Sequence, residues 1–370
     1  MVRLSSIVSI LIVSFAPVAV SRAQSVNMDF EPLGPGSGTA TSTYGGPALY
    51  PGTWNSIHSL PATNLLSVTG APTGVSVTTD ANAFMTFFTS NVALPPDSAL
   101  VDDGMRADLG GYEVTISGLA NGSYGVFPVC VEYFNIFATR IEVVGASEGP
   151  SYCGGGWAGA YVSGSASQFD TQGNYVPFTK VVTDGTIRIR YLVSGFVDQP
   201  TVNGIQVVKL EPITSSCFGD SGSLVCPCGN LGLAGRGCGN SANAAGALLT
   251  SSGTQVSDTL ALTASGLPTT ATALFVQSQT LTTPTPFGDG GSCIGASPRR
   301  MFVKLAVGGS VTVPSPGDPS IRARSALAGD TIPPGSTRHY QVVYRDSEFS
   351  FCPSPQGAAF NATNALSVTW

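Results

Sequence analysis

The residues best placed to do chemistry lie mid-chain, where Cys217-Phe218-Gly219-Asp220-Ser221-Gly222-Ser223 leads through Cys226-Pro227-Cys228-Gly229-Asn230 to Cys238. A serine between glycines on a tight turn can act as a nucleophile, provided a histidine takes its proton and an acid orients that histidine. The chain has two histidines, His339 and, ahead of the motif, His58 in Asn55-Ser56-Ile57-His58-Ser59. Four cysteines in this span could instead hold zinc as a tetrahedral set. Structural zinc sites favour cysteine pairs two to four residues apart, and the Cys226-Pro227-Cys228 spacing is tighter than that.

Two other groupings carry possible chemistry. Asp102 and Asp103 are adjacent carboxylates, and glycoside hydrolysis needs a pair of them across one bond. Neighbours on a strand point to opposite faces, so these two cannot easily flank one bond. A trypsin-like nucleophile loop reads Cys-x-Gly-Asp-Ser-Gly-Gly-Pro, whereas here Ser223 replaces the second glycine and the proline is missing. With no histidine in an Ala-Ala-His-Cys setting to serve it, Ser221 reads as a turn residue. The eight cysteines are expected to be disulfide-bonded. Cys130 is expected with Cys153, Cys293 with Cys352, and Cys226 and Cys228 each with Cys217 or Cys238.

These side chains need elements to hold them, and the start of the chain says where those elements fold. Arg3, the apolar stretch from Ile7 to Phe15, and Ser21-Arg22-Ala23 have the layout of an export signal over residues 1–23, with Gln24 as the mature start. No later stretch has the roughly 20 uninterrupted apolar residues that a membrane-spanning helix needs. The expected location is outside the cell or at its surface.

Only 10% of residues are charged, while 45 glycines and 26 prolines punctuate the chain. That composition suits short strands and tight turns, so an all-β protein with almost no helix is expected. Between Ser25 and Glu211, fifteen Asp and Glu face six Lys and Arg, a net of −9; from Pro212 onward seven face eight, a net of +1. The first half therefore lacks the basic face that nucleic acid or anionic lipid demands. Two domains are expected: 24–211, then a disulfide-rich junction over 212–245, then 246–370.

Alternation marks the strands. Tyr112 to Ser117, Arg140 to Val143, Thr186 to Tyr191 and Gly204 to Leu210 each bury one face in the first domain. Asn121-Gly122, Asp184-Gly185 and Asn203-Gly204 tolerate positive φ and are expected to close hairpins. In the second domain Asp258 to Thr263, Ala273 to Gln279, Ile321 to Arg324, Tyr340 to Tyr344 and Leu366 to Trp370 read the same way. Each domain is expected to be an antiparallel β-sandwich.

The order Trp54-Asn55, Ala99 to Asp103, Ile116-Ser117-Gly118-Leu119-Ala120-Asn121-Gly122-Ser123-Tyr124, Asp184 to Ile187 and Val202-Asn203-Gly204-Ile205-Gln206-Val207 resembles galactose-binding-like and malectin-like jelly rolls. The resemblance covers roughly Val26 to Leu210. From Cys217 onward, Cys-Phe-Gly-Asp, Cys-Pro-Cys-Gly-Asn, Gly237-Cys238-Gly239-Asn240-Ser241, Phe287-Gly288-Asp289-Gly290, Tyr344-Arg345-Asp346 and Asn364 to Thr369 resemble a module closing many secreted planctomycete-type bacterial proteins, whose role the likeness does not supply.

The jelly-roll resemblance implies sugar binding on loop or concave faces, with neutral glycans as partners. Aromatic faces stack on sugar C–H faces while amides and carboxylates accept hydroxyls. Trp157 and Tyr161 in a glycine-rich loop, and Trp54 and Tyr50 with Asn55, are the candidate contacts. Jelly rolls often carry a structural calcium, for which Asp29, Glu31, Asp102, Asp103 and Glu211 offer hard oxygen donors. No other cofactor is expected. Asn121-Gly122-Ser123 and Asn361-Ala362-Thr363 match glycosylation acceptors. The functional expectation is a non-catalytic, carbohydrate-binding or adhesive surface protein. A hydrolase using carboxylates of the first domain and a structural envelope protein are the alternatives.

Overall fold

The computed structural model describes residues 23–33, 38–80, 83–87, 100, 103–107, 110–130, 138–154, 175–193, 199–222, 224–348, 351–352 and 359–370. Trp157, Tyr161 and Asp102, and the expected export signal up to residue 22, lie outside them. The described chain is all β apart from one short helix, Ile321–Leu327.

In the N-terminal half one sheet runs in the order Phe178–Val182, Gly122–Val129, Gly204–Leu210, Val26–Phe30, Trp54–Ile57. The facing sheet runs Ser151–Gly154, Ala138–Val143, Ile187–Leu192, Tyr112–Ser117, Pro72–Thr79, Ala62–Leu66. Pairing is antiparallel except where Val26–Phe30 runs parallel to Trp54–Ile57. The alternation read in Tyr112–Ser117 is the observed one: Tyr112, Val114 and Ile116 are buried and the residues between them are not. They meet Met28, Val126, Phe178 and Ile205 of the other sheet in one core. Each such aliphatic or aromatic side chain, fully buried, contributes about 1.5–3 kcal/mol.

The Asn-Gly and Asp-Gly pairs do not close hairpins. Asn121-Gly122 links Tyr112–Ser117 to Gly122–Val129, and Asp184-Gly185 links Phe178–Val182 to Ile187–Leu192, each time crossing between the sheets. A turn pair fixes a tolerance for positive φ, seen at Gly185 (φ 74°), but not which sheet receives the next strand. Asn203 is no turn tip either: it is buried and its Nδ2 donates to the Asp103 carbonyl at 2.6 Å.

In the C-terminal half Thr214–Ser216, Ala365–Thr369, Thr337–Arg345, Thr272–Ser278 and Arg299–Leu305 form one sheet, with Phe360–Ala362 also paired to Thr337–Arg345. Leu248–Ser252, Ala261–Ser265 and Ser310–Val313 form a second, and Leu281–Phe287 pairs with Gly290–Ile294 as a hairpin. Phe275, Tyr340 and Val342 of the first sheet pack with Leu249, Leu262 and Val313 of the second. The Ile321–Arg324 stretch, which alternates like a strand, is helical. Ser320 caps it by accepting from Ala323 N at 3.1 Å, and burial of Ile321 and Ser325 four residues apart follows the helical period that a four-residue window conceals.

The disulfides are Cys217–Cys293, Cys226–Cys238 and Cys228–Cys352. The expected Cys293–Cys352 bond is thereby overturned: Cys293 reaches back to Cys217, and Cys352 to Cys228. Strand Thr214–Ser216 pairs with Ala365–Thr369 and delivers Cys217 to this sheet, so the cysteine-rich stretch is fastened onto the C-terminal half at Cys217 and again at Cys228. Cys130 and Cys153 are buried neighbours with their sulfurs unjoined, Cys153 Sγ lying 3.5 Å from the Cys130 carbonyl.

A candidate ligand cleft between the two halves

The two halves share a small apolar seam. Val256, on the turn after Leu248–Ser252, packs with Tyr50, Val68, Phe127 and Val208 of the N-terminal half. A Cβ on Gly125 would lie 2.8 Å from Val256 Cγ2, so glycine is what lets this turn dock on Gly122–Val129. Polar bonds flank the seam: Ser257 Oγ donates to Glu148 Oε1 at 2.9 Å, and Thr179 Oγ1 to Thr254 Oγ1 at 3.3 Å.

A cleft of about 320 Å³ opens along this seam. The N-terminal half supplies Tyr50, Phe127, Tyr175 and the strand end Val208 to Glu211; the C-terminal half supplies Gln255 to Asp258, Arg322, Pro334 and Trp370. Four aromatic side chains and four charged ones, Lys209, Glu211, Asp258 and Arg322, thus meet in one concavity. None of the four charges forms an ion pair among the described residues. Arg322 lies with its guanidinium carbon 5.3 Å from the centre of the Trp370 ring, a cation–π contact, and its buried Nε meets no hydrogen-bond acceptor among the described residues. Phe127 and Tyr175 stand 6.4 Å apart between ring centres, tilted by 40°.

The candidates from sequence are scattered. Tyr50 lines the cleft, and so does Glu211, which the sequence suggested for calcium. Trp54 does not line the cleft: it packs with Ala40, Tyr44, Leu100 and Val129, and its Nε1 donates to the Tyr44 carbonyl at 3.1 Å. Asn55 has spent its amide on backbone, donating to the carbonyls of Asn27 and Leu66 and accepting from Leu66 N. Phe127, Tyr175, Arg322 and Trp370 escaped sequence reasoning. Trp370 looked like one more strand residue, and nothing local to any of the four shows that a second half covers it.

Of the carboxylates suggested for calcium, Asp102 lies outside the described residues, Asp103 is buried, and Asp29 and Glu31 accept from nearby donors. Asp29 Oδ2 accepts from Ala40 N at 2.9 Å and Glu31 Oε1 from Thr39 Oγ1 at 2.8 Å. Among the described residues no three carboxylates bring oxygens within 4.8 Å of one another. The one metal-like grouping, Cys228, Asp289 and Cys352, contains two cysteines already bonded to each other, and disulfides likewise consume the cysteines proposed for zinc.

Ser221 sits on a tight turn at φ 75°, with Asp220 Oδ1 accepting from Gly222 N and Oδ2 from Gly235 N, both at 3.2 Å. The histidines are engaged elsewhere. His58 Nε2 lies 2.9 Å from Ser56 Oγ and its Nδ1 3.2 Å from the Glu31 carbonyl, while His339 Nδ1 lies 2.8 Å from Ser367 Oγ. Burial, helped by nearby Arg338, holds His339 below the ordinary histidine value. Of the glycosylation matches, Asn361 is buried, donating to the Gly239 carbonyl at 2.9 Å, and Asn121 is exposed.

No family model and no curated relative matches the chain. Among solved structures it is similar to the protein YXIM of Bacillus subtilis (12% identity, 52% of this chain and 43% of that one, TM-score 0.28). It is also similar to a plant complex of the peptide RALF23 with FER and LLG2 (11%, 94% and 96%, TM-score 0.32). A third is the CBM22-1-CBM22-2 tandem domain of Xyn10C from Paenibacillus barcinonensis (8%, 80% and 85%, TM-score 0.22). The chain spans less than half the length of the Bacillus subtilis protein. Likenesses of this strength carry no argument about function, which rests on the cleft itself.

Proposed function

We propose that this is an exported, non-catalytic glycan-binding protein whose ligand sits in the cleft between its halves. The observation that carries the reading is the composition of that cleft, where Tyr50, Phe127, Tyr175 and Trp370 surround a cavity edged by Lys209, Glu211, Asp258 and Arg322. Sugar rings offer apolar C–H faces to aromatic rings and hydroxyls to charged groups, so one concavity with both kinds of surface suits them. A volume of about 320 Å³ accommodates one or two rings of a longer glycan and leaves the remainder outside.

The test is retention of the full chain on a broad panel of immobilised glycans, with Tyr175→Ala and Trp370→Ala alongside. Retention that falls at least about tenfold in either variant, with no reducing ends released, is the expected result. Released reducing ends would show a hydrolase, and retention on nothing would leave a structural role.

A further inference from the structure

Resting on the glycan reading, we propose that the cleft selects a carbohydrate carrying a carboxylate, a uronic-acid residue, and that Arg322 is its anchor. The four charges of the cleft are not equivalent. Asp258 is exposed and Glu211 and Lys209 are half-buried, so water can satisfy them in the empty protein. Arg322 is half-buried too, but its guanidinium stands over the Trp370 ring, and no carboxylate pairs with it among the described residues. A guanidinium fixed at the wall of a cleft without a carboxylate partner is a ready partner for an anion.

The ligand that suits this guanidinium is an anion with two coplanar oxygens. Guanidinium presents its N–H groups as a fork that a carboxylate accepts in parallel, and such charge-assisted pairs are stronger than bonds to a neutral hydroxyl. The Trp370 ring at 5.3 Å holds Arg322 in place before any ligand arrives, so little side-chain freedom remains to be lost on binding. Glu211 and Asp258 then serve as acceptors for ring hydroxyls, and Tyr50, Phe127 and Tyr175 as the apolar wall. Arg322 and Trp370 belong to the C-terminal half and Tyr50, Phe127 and Tyr175 to the N-terminal half, so acid recognition requires both.

Calorimetric titration of the full chain decides this, using mannuronate, guluronate and glucuronate trimers, each beside its carboxyl-reduced neutral counterpart. At least one acidic trimer is expected to bind about tenfold or more tightly than its neutral counterpart, with the advantage shrinking as salt is raised. Arg322→Gln should erase the advantage, with a cooperative thermal unfolding transition showing that the variant is folded; Arg322→Lys should restore only part of it. Equal binding of acidic and neutral trimers, or an acid preference that survives Arg322→Gln, overturns the role of Arg322 and the uronate class but leaves the glycan reading standing. Binding of no trimer here, together with no retention on the wider panel, overturns both.

Discussion

At the scale of residues, the most demanding arrangement is a buried ion pair in the C-terminal half. Asp330 takes Arg338 in both oxygens, from Nε at 2.7 Å and Nη2 at 2.8 Å, and also accepts from Gln277 and Gln279. The hydrogen bonds from Arg338 outweigh burial and hold the Asp330 carboxyl below the ordinary aspartate value. Removing the acid strands a guanidinium that is only 5% exposed, so Asp330→Ala is expected to cost about 3–5 kcal/mol in urea unfolding. Cys130 and Cys153 make a second residue-scale case. Burial, then the hydrogen bond and charge of Cys153, push the Cys130 thiol well up, and a buried protonated thiol is inert. Iodoacetamide should label neither cysteine in the native chain and both in denaturant; failure to label even the unfolded chain would establish the bond that the sequence suggested.

Elements were legible in the sequence to the extent that their logic is local. Tyr112–Ser117 and Gly204–Leu210 both have the expected bounds; the first buries alternate residues as expected, whereas the second is buried on both faces from Gly204 to Val208, because the other half and neighbouring loops cover its outer side. Ile321–Leu327 was missed because four alternating residues fit either period. Disulfide partners are a property of the tertiary fold, and only Cys226–Cys238, twelve residues apart, was within local reach. The repeated asparagines of the cysteine-rich stretch have a structural role. Asn230 Nδ2 donates to the carbonyls of Gly239 and Asp289, and Asn240 Nδ2 to Tyr344 Oη at 2.9 Å, binding loop to sheet. Cys217–Cys293 closes the larger part of this element, a separation of 76 residues. By loop-closure entropy, the double variant Cys217→Ser/Cys293→Ser is expected to lose about 2–4 kcal/mol, read as a lower urea midpoint without reductant.

At the scale of the molecule, the cleft exists because a turn of the C-terminal half docks on the N-terminal sandwich, and Glu148 is the group that makes this docking sensitive to acid. Its carboxylate accepts from Thr179 N at 2.6 Å and from Ser147 Oγ at 2.8 Å on its own side, and from Ser257 Oγ at 2.9 Å across the seam. Burial alone would raise its pKa, but these hydrogen bonds favour the charged form and hold it below the ordinary glutamate value. A lowered folded-state pKa adds stability that is fully present above the unfolded value of about 4.3 and is lost as pH falls through the folded value. Protonation leaves Thr179 N–H and the Ser257 hydroxyl competing for a weaker acceptor, so the seam should loosen as pH falls below the ordinary glutamate value while each sandwich core is unaffected by this group. Thermal unfolding followed from pH 7 to pH 3 should therefore show native protein losing stability relative to Glu148→Gln, since the variant, already lower by about 1 kcal/mol at pH 7, has no proton to take up at that position. Parallel titration curves for the two proteins would mean that the carboxylate at 148 does not hold the halves together, and the cleft would then depend on the packing of Val256 against Tyr50, Val68, Phe127 and Val208 and on the Thr179–Thr254 bond.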